Sequence, residues 1–375
     1  MLVWLLWGSG LGAAAQYGKV SVVFDQLPQV YPGAGTGLGW AVSLVGFLGI
    51  LFGVVAGVIV AKLGFRRALL AGLVVGAAVS LAQAFVLPLP VFLVSRVLEG
   101  AAHLAIVVAA PTMIAQICTD RDRGVALTLW GSFFGVAFAV LGWVGLPVVQ
   151  RFGIPVLWLT HGMFMGAMAL ILWRKLPTLV PEARGPGPGE FIAAHLRIYR
   201  SPSIGAPAFG WLFYTMCFLS VLTLYPQFVD APWRTFTVGA MPLLSIVSSL
   251  TLGVFILRRF GAMPTIYLGF GLCVFLAAAM ALIPGSVVLG LAMGAALGLV
   301  QGATFASVPE LIGPIEDRAL SNGGMAQMGN LGNTIGTPIM LWTLAVSGFT
   351  GMMLALMVLF AAGVMLHLWL AALRR

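Results

Sequence analysis

Arg96, Glu99 and His103 lie inside one apolar stretch that runs from Leu89 to Ile117. At about 100° per helical residue, the three share a face about 60° wide. Such a trio suits proton chemistry. A carboxylate takes up and releases a proton, a guanidinium biases it by charge, and an imidazole titrates near neutrality. Arg96 also suits an anionic group of a solute. The competing arrangement is structural: an Arg96–Glu99 ion pair at i,i+3, with His103 bonded to a carbonyl. Ionisable groups in mid-segment face protein or a water-filled path and not lipid.

The elements that position these residues follow from composition. The chain is 61% hydrophobic and 8% charged, with a mean hydropathy of +1.08. That excludes an ordinary soluble domain. A helix of about 20 apolar residues spans a bilayer core, and that window gives twelve spans. The first six are Leu2–Phe24, Leu38–Val60, Ala68–Leu87, Leu89–Ile117, Val125–Val149 and Ile154–Leu172. The second six are Ile204–Val229, Phe236–Leu257, Met263–Ile283, Val287–Ile312, Leu320–Ser347 and Phe349–Leu370. The first run leads into further spans, so it reads as a helix and not as a cleavable signal.

Twelve spans put both termini on one side. Loops of that side hold Lys62, Arg66, Arg67, Arg121, Arg123, Arg174, Lys175, Arg184, Arg197, Arg200, Arg258, Arg259 and Arg318, with Arg374 and Arg375 in the tail. Opposite loops hold Arg151 and Arg234. The positive-inside rule places the termini in the cytoplasm. The net charge of +9 therefore reports topology, and nucleic acid is not an expected partner. Cys118, Cys217 and Cys273 lack disulfide or metal-site spacing. No Walker loop, metal cluster or nucleophile–base set is visible, so neither a cofactor nor an enzyme activity is expected.

The longest polar interruption, 174–202, contains the Pro- and Gly-rich run 181–189. It divides the chain into residues 1–176, a cytoplasmic linker 177–203, and residues 204–375. Residues 191–199 suit a short surface helix. The halves resemble each other. Ala61-Lys-Leu-Gly64 matches Arg258-Arg-Phe-Gly261, Pro111 matches Pro309, and Gly131 and Gly135 match Gly329 and Asn333. Two such halves are a transporter signature, with sites near the midplane between them.

The chain thus resembles the major facilitator superfamily over all twelve spans. Gly57-Val-Ile-Val-Ala-Lys-Leu-Gly-Phe-Arg-Arg67 is similar to that family's loop signature between spans two and three. Gly57, Lys62, Gly64, Arg66 and Arg67 match, whereas Ala61 stands where the family has an Asp that helps latch the halves. Arg96-Val-Leu-Glu-Gly100 resembles an Arg-x-x-x-Gly pattern that the family associates with proton coupling. In the fifth span Gly131 and Gly135 fit the antiporter signature, but Val136 replaces its Pro, which argues against the drug–proton antiporter branches. The resemblance implies an all-α membrane protein of twelve transmembrane helices in two pseudo-symmetric six-helix bundles. It also implies a monomer working by alternating access.

Further residues are expected to line the pathway. Lys19, in the outer third of the first span, is either a second cationic contact or a snorkelling lysine paired with Asp25. Gln301, Gln327, Asn330 and Asn333 give the second half an uncharged polar lining or interhelical glue, and Tyr214 and Tyr225 divide the same way. Glu310 suits a gating salt bridge to Arg258 or Arg259. His161 and His367 read as satisfied core residues. Trp4, Trp7, Trp40, Trp130, Trp143, Trp173 and Trp369 read as interfacial anchors. The resulting expectation is a proton-coupled secondary transporter of the bacterial inner (plasma) membrane. Lys19 and Arg96 against the single acid Glu99 tilt the solute toward an anion or zwitterion. The alternatives are an efflux pump for apolar compounds and a non-transporting membrane sensor.

Overall fold

The computed structural model describes residues 1–177 and 188–374. Residues 178–187 of the expected linker, Arg184 among them, and Arg375 lie outside the described residues. So do the side chains at 58, 61, 120, 188–191 and 315, and with them the expectation attached to Ala61. The described residues are helical and contain no strand.

Ten stretches are long and apolar enough to cross a membrane. The last of them is two helices, because Gly348 breaks it at φ 67, ψ −170. A further helix, α1 (Leu2–Ser21), is 20 residues long and less apolar, since it carries Gln16 and Lys19. The count among the described residues is therefore twelve. After α1 come α2 (Gly35–Phe52, continuing in Ala56–Leu63), α3 (Phe65–Gln83), α4 (Leu89–Ile117), α5 (Arg121–Phe152) and α6 (Ile154–Lys175). A linker helix, Pro188–Arg200, leads to α7 (Gly205–Phe228), α8 (Ala231–Phe260), α9 (Ala262–Leu282) and α10 (Val287–Leu311). Residues 316–347 form α11 and 349–373 form α12. The eighth span starts earlier than expected, at Ala231 rather than Phe236, because Pro232 sits in the first turn, where its missing N–H has no partner to lose.

The two halves repeat in their turns. Gly64 after α2 and Gly261 after α8 have φ of 83° and 85°, a region open to glycine at no steric cost. Gly153 before α6 and Gly348 before α12 mark the second corresponding pair, also at positive φ. Pro111 and Pro309 both sit inside their helices.

Helices α1, α3, α4 and α6 pack against one another, and α7 packs on α10 to α12. The halves meet where α2 lies on α11 and where α5 lies on α8. Glycines make both contacts close. Gly49 accepts the Asn330 side chain, and Gly39 lies against the backbone of Pro338. A Cβ at Gly142 would sit 2.8 Å from the backbone nitrogen of Gly239.

Three of these four interface helices are irregular. Helix α2 contains a 3-10 turn at Leu44–Gly46, α5 a π segment at Leu141–Gly145, and α8 another at Ser249–Gly253. Such local breaks are common at functional sites. The α5–α8 contact sits toward the face opposite the termini. Near the terminal face, the first part of α5 packs on α1 and α4 of its own half. The last part of α8 packs there on α9 and α10.

Gly142→Val fills a gap closed by backbone, so flexible side chains cannot absorb the change. It is expected to destabilise the protein by about 1–3 kcal/mol, read as a lower thermal unfolding midpoint in detergent. A midpoint equal to that of the unsubstituted protein contradicts the close approach.

Candidate functional site

Lys19, Arg96 and Glu99 meet with no solvent exposure at all. Helix α1 brings Lys19 and α4 brings the other two. Glu99 Oε1 accepts from Lys19 Nζ at 2.5 Å. Glu99 Oε2 accepts from Arg96 Nη1 and from Gln83 Nε2 at 3.1 Å. Helix α3 contributes Ser80 and Gln83, one turn apart. Lys19 Nζ donates to Ser80 Oγ at 2.6 Å and to Gln83 Oε1 at 2.7 Å. Each charge therefore has ionic or polar partners, as a buried charge requires.

His161 of α6 completes the cluster. Its Nε2 donates to the Gly12 carbonyl at 2.9 Å, which leaves Nδ1 to accept from Ser80 Oγ at 2.8 Å. His161 is thus satisfied, as its isolation in an apolar helix suggested, but it is also part of the polar group. Sequence reasoning missed Ser80 and Gln83, and it read His161 as a core residue only. The signal was present: three polar side chains in otherwise apolar spans. Nothing in the sequence said that they converge.

The face seen in α4 is real, and its bonds are those of the structural alternative, the Arg96–Glu99 pair at i,i+3 with His103 on a carbonyl. Arg96, Glu99 and His103 were expected along a central passage. Instead Glu99 is enclosed by α1, α3 and α4 of one bundle, and His103 binds the Ala13 carbonyl of α1 at 3.0 Å. The cause is Lys19, which draws the carboxylate toward α1. Lys19 does not pair with Asp25; Asp25 pairs with Arg234 at 3.0 Å.

Arg96 reaches further. Its Nε donates to the Ala41 carbonyl of α2 at 2.6 Å, and its Nη2 donates to the Gln16 carbonyl of α1. Both acceptors sit directly behind the bundle interface. Tyr17, next to Gln16, has its hydroxyl beside Asn333 of α11 without a well-formed hydrogen bond. The 3-10 turn just after Ala41 ends at Gly46, which packs against Thr334 and Asn330.

An aromatic row leads from Tyr17 and Phe134 of the first bundle to Phe218, Tyr214 and Trp211 of α7. Tyr17 and Phe134 have ring centroids 6.0 Å apart, Phe134 and Phe218 6.2 Å, Phe218 and Tyr214 5.1 Å, Tyr214 and Trp211 4.5 Å. Gln301 accepts from the Tyr214 hydroxyl at 3.4 Å. Tyr225 lies apart from this row, its hydroxyl donating to the Ser286 carbonyl. Asn330 is partly turned to its own helix, donating to Ala326 O. Gln327 ties three elements together. Its Nε2 donates to the Ile50 carbonyl of α2 at 2.8 Å, and its Oε1 accepts from Tyr199 of the linker helix at 2.6 Å. Burial pushes the Tyr199 hydroxyl up to about 12, so it remains a donor at neutral pH.

At the terminal face, loop side chains hold helix ends. Arg66 caps the end of α6 through the Trp173 and Leu176 carbonyls. Gly57 and Lys62 are exposed, as is Arg67. Glu310 forms no ion pair with Arg258 or Arg259 among the described residues. It accepts from the Ala262 N–H at 2.7 Å instead, because the first turn of α9 presents free donors to it. Arg259 lies over the Phe260 ring. His367 is not satisfied: it is fully buried with neither ring nitrogen bonded. Trp130 is buried against Gly10 and Phe133 rather than anchored at an interface, whereas Trp4, Trp40, Trp143, Trp173 and Trp369 are exposed.

The family model described as Major Facilitator Superfamily matches residues 6–314. No curated protein matches the chain.

The three buried charges predict an order of stabilities. Lys19→Met leaves the neutral Arg96–Glu99 pair. Glu99→Leu leaves two cations facing each other, and breaking a buried pair in this way costs about 3–5 kcal/mol. Glu99→Leu is therefore expected to lower the unfolding midpoint in detergent more than Lys19→Met. The reverse order contradicts the geometry.

Proposed function

This chain belongs to the Major Facilitator Superfamily and is an integral membrane transporter, and we propose that it couples proton transfer at Glu99 to alternating access of its two bundles. The observation that carries this reading is the bridging position of Arg96. One guanidinium holds the Glu99 carboxylate and also the backbones of α1 and α2, which present Tyr17 and Gly46 to the other bundle.

Protonating Glu99 removes the charge that Lys19 and Arg96 share. Two adjacent cations then remain in a medium of low dielectric, where their repulsion is strong. Movement of Arg96 relieves it, and Arg96 carries α1 and α2 with it. The bundles meet along α2 and α11 from Gly39–Pro338 to Val54–Gly323, and along α5 and α8 toward the face opposite the termini, and these interface helices contain the irregular turns that permit bending. Transport follows as the bundles rock about the midplane. Of the ten acids in the chain, Glu99 alone lies in mid-span, so no other carboxylate competes for this role.

The solute faces aromatic and amide groups. Lys19 and Arg96 already have partners inside one bundle, so the charge count that favoured an anionic or zwitterionic solute does not describe the midplane. Trp211, Tyr214, Phe218 and Phe134 favour a small solute with a flat apolar body, oriented by Gln301, Asn330 and Asn333. This observation also supports the second reading, efflux of apolar compounds. The basic loops support cytoplasmic termini. Each chain holds its own pair of bundles, which suits a monomer.

In proteoliposomes with an imposed pH gradient, the protein is expected to accumulate at least one member of a panel of labelled aromatic acids, amides and amines. Glu99→Gln should abolish that accumulation and leave counterflow exchange of the same solute intact. Unchanged gradient-driven uptake removes Glu99 from the coupling role.

A further inference from the structure

Helix α2 is interrupted between Phe52 and Ala56. The last carbonyls of a helical segment lack intrahelical donors, and Ile50 bears one of them. Its donor comes from the other bundle: Gln327 Nε2 of α11, at 2.8 Å. The backbones approach at the same place, since a Cβ at Gly53 would sit 2.9 Å from Gln327 Cα. Gln327 lies about three turns into α11 from the terminal face. On that side of the molecule α5 and α8 pack on their own halves, so the α2–α11 junction is where the bundles hold together there.

The Gln327 amide is oriented from the linker helix. A carbonyl only accepts, so the amide must turn its NH2 toward Ile50 and its oxygen away. Tyr199 fixes that choice, because its hydroxyl donates to Gln327 Oε1 at 2.6 Å. His195, one turn earlier on the same helix, lies 3.3 Å from Gln327 Nε2. The linker helix is itself docked on the second half. Ile198 is fully buried beside Gly324 of α11 and Ala208 of α7, and Arg197 pairs with Asp317 of α11 at 2.7 Å. Tyr199 and Gln327 thus belong to one body, and the bond from Gln327 to Ile50 must break when the bundles part at this face.

We propose that Gln327 is a gating residue of the terminal face and that Tyr199 is its positioning residue, so that the segment joining the bundles also sets how firmly they close. Without the hydroxyl the amide is free to turn, and the turned amide places oxygen against the Ile50 carbonyl. Closure then weakens although Gln327 is still present. This gate rests on the alternating-access reading and adds the contact that closes one face.

The test is a double electron–electron resonance distance measurement on full-length protein in liposomes. Spin labels sit at Leu63→Cys, at the end of α2, and at Ala319→Cys, in the first turn of α11, both exposed positions. Cys118→Ser removes the partly exposed thiol, and Cys217 and Cys273 are buried. A short and a long distance are expected, from closed and open populations. Tyr199→Phe should raise the long-to-short ratio about two- to tenfold, the weight of one neutral hydrogen bond. Gln327→Leu should raise it at least as much. Tyr199→Phe should add nothing on top of Gln327→Leu, because the hydroxyl acts through the amide. If Gln327→Leu does not fold, Tyr199→Phe alone decides. Two populations whose ratio is unchanged in Tyr199→Phe overturn the gate and leave the rocking motion intact. An additive effect in the double variant likewise overturns the positioning role. A single distance in every variant overturns the rocking motion itself, and the gate with it.

Discussion

A single carboxylate held between two cations in an apolar interior is the constraint on which this structure depends. Glu99 has no exposure, and neither do Lys19 and Arg96. An isolated charge at that depth is prohibitively costly, whereas a fully hydrogen-bonded group of three is tolerated. That requirement fixes the helices around it. Helix α1 must bring Lys19 against α4, α3 must supply Ser80 and Gln83, and α6 must supply His161. The Lys19 ammonium, with three donors, takes an acceptor from α3 twice and from α4 once. The first bundle is therefore organised around polar satisfaction at its centre and apolar packing elsewhere.

The second half is built differently. It carries no comparable charge cluster among the described residues. Its centre is aromatic and amide, and its helices approach through glycine. Gly332 and Gly336 lie against the backbone of α7, and Gly294 and Gly298 against the backbone of α8. Close backbone approach through small residues is the usual means of helix association where lipid gives no hydrophobic drive. A rigid, charge-centred bundle thus faces one held by shape. The two halves share turns, prolines and helix order, yet they differ in what occupies the middle.

The interface joins these two designs. Where α2 meets α11 and α5 meets α8, glycines allow contact and π or 3-10 segments interrupt the helices. Arg96 links the charge cluster to this interface by holding carbonyls on α1 and α2. Gln327 adds a tie from α11 to α2 and to the linker helix. The result is a set of close glycine contacts inside one apolar core that continues from the first bundle into the second.

Much of this was legible in the sequence. Length and apolarity set the helices, and the fourth span was read with the same limits that the structure gives, Leu89 to Ile117. Basic turns, paired prolines and the loop motif gave two repeated halves, because local backbone rules apply wherever the chain sits. The shared face of Arg96, Glu99 and His103 also follows from helical period alone. Tertiary structure decided which way that face points. Helical period fixes only relative angles, and the absolute direction depends on a partner 80 residues away, Lys19. The same holds for Glu310, which found the free N–H of Ala262 rather than an arginine, and for Ser80, Gln83 and His161, whose convergence needs three helices packed. Sequence determined which groups had to be satisfied; only the packed bundle determined by whom, since hydrogen bonds between helices depend on distances that no single helix contains.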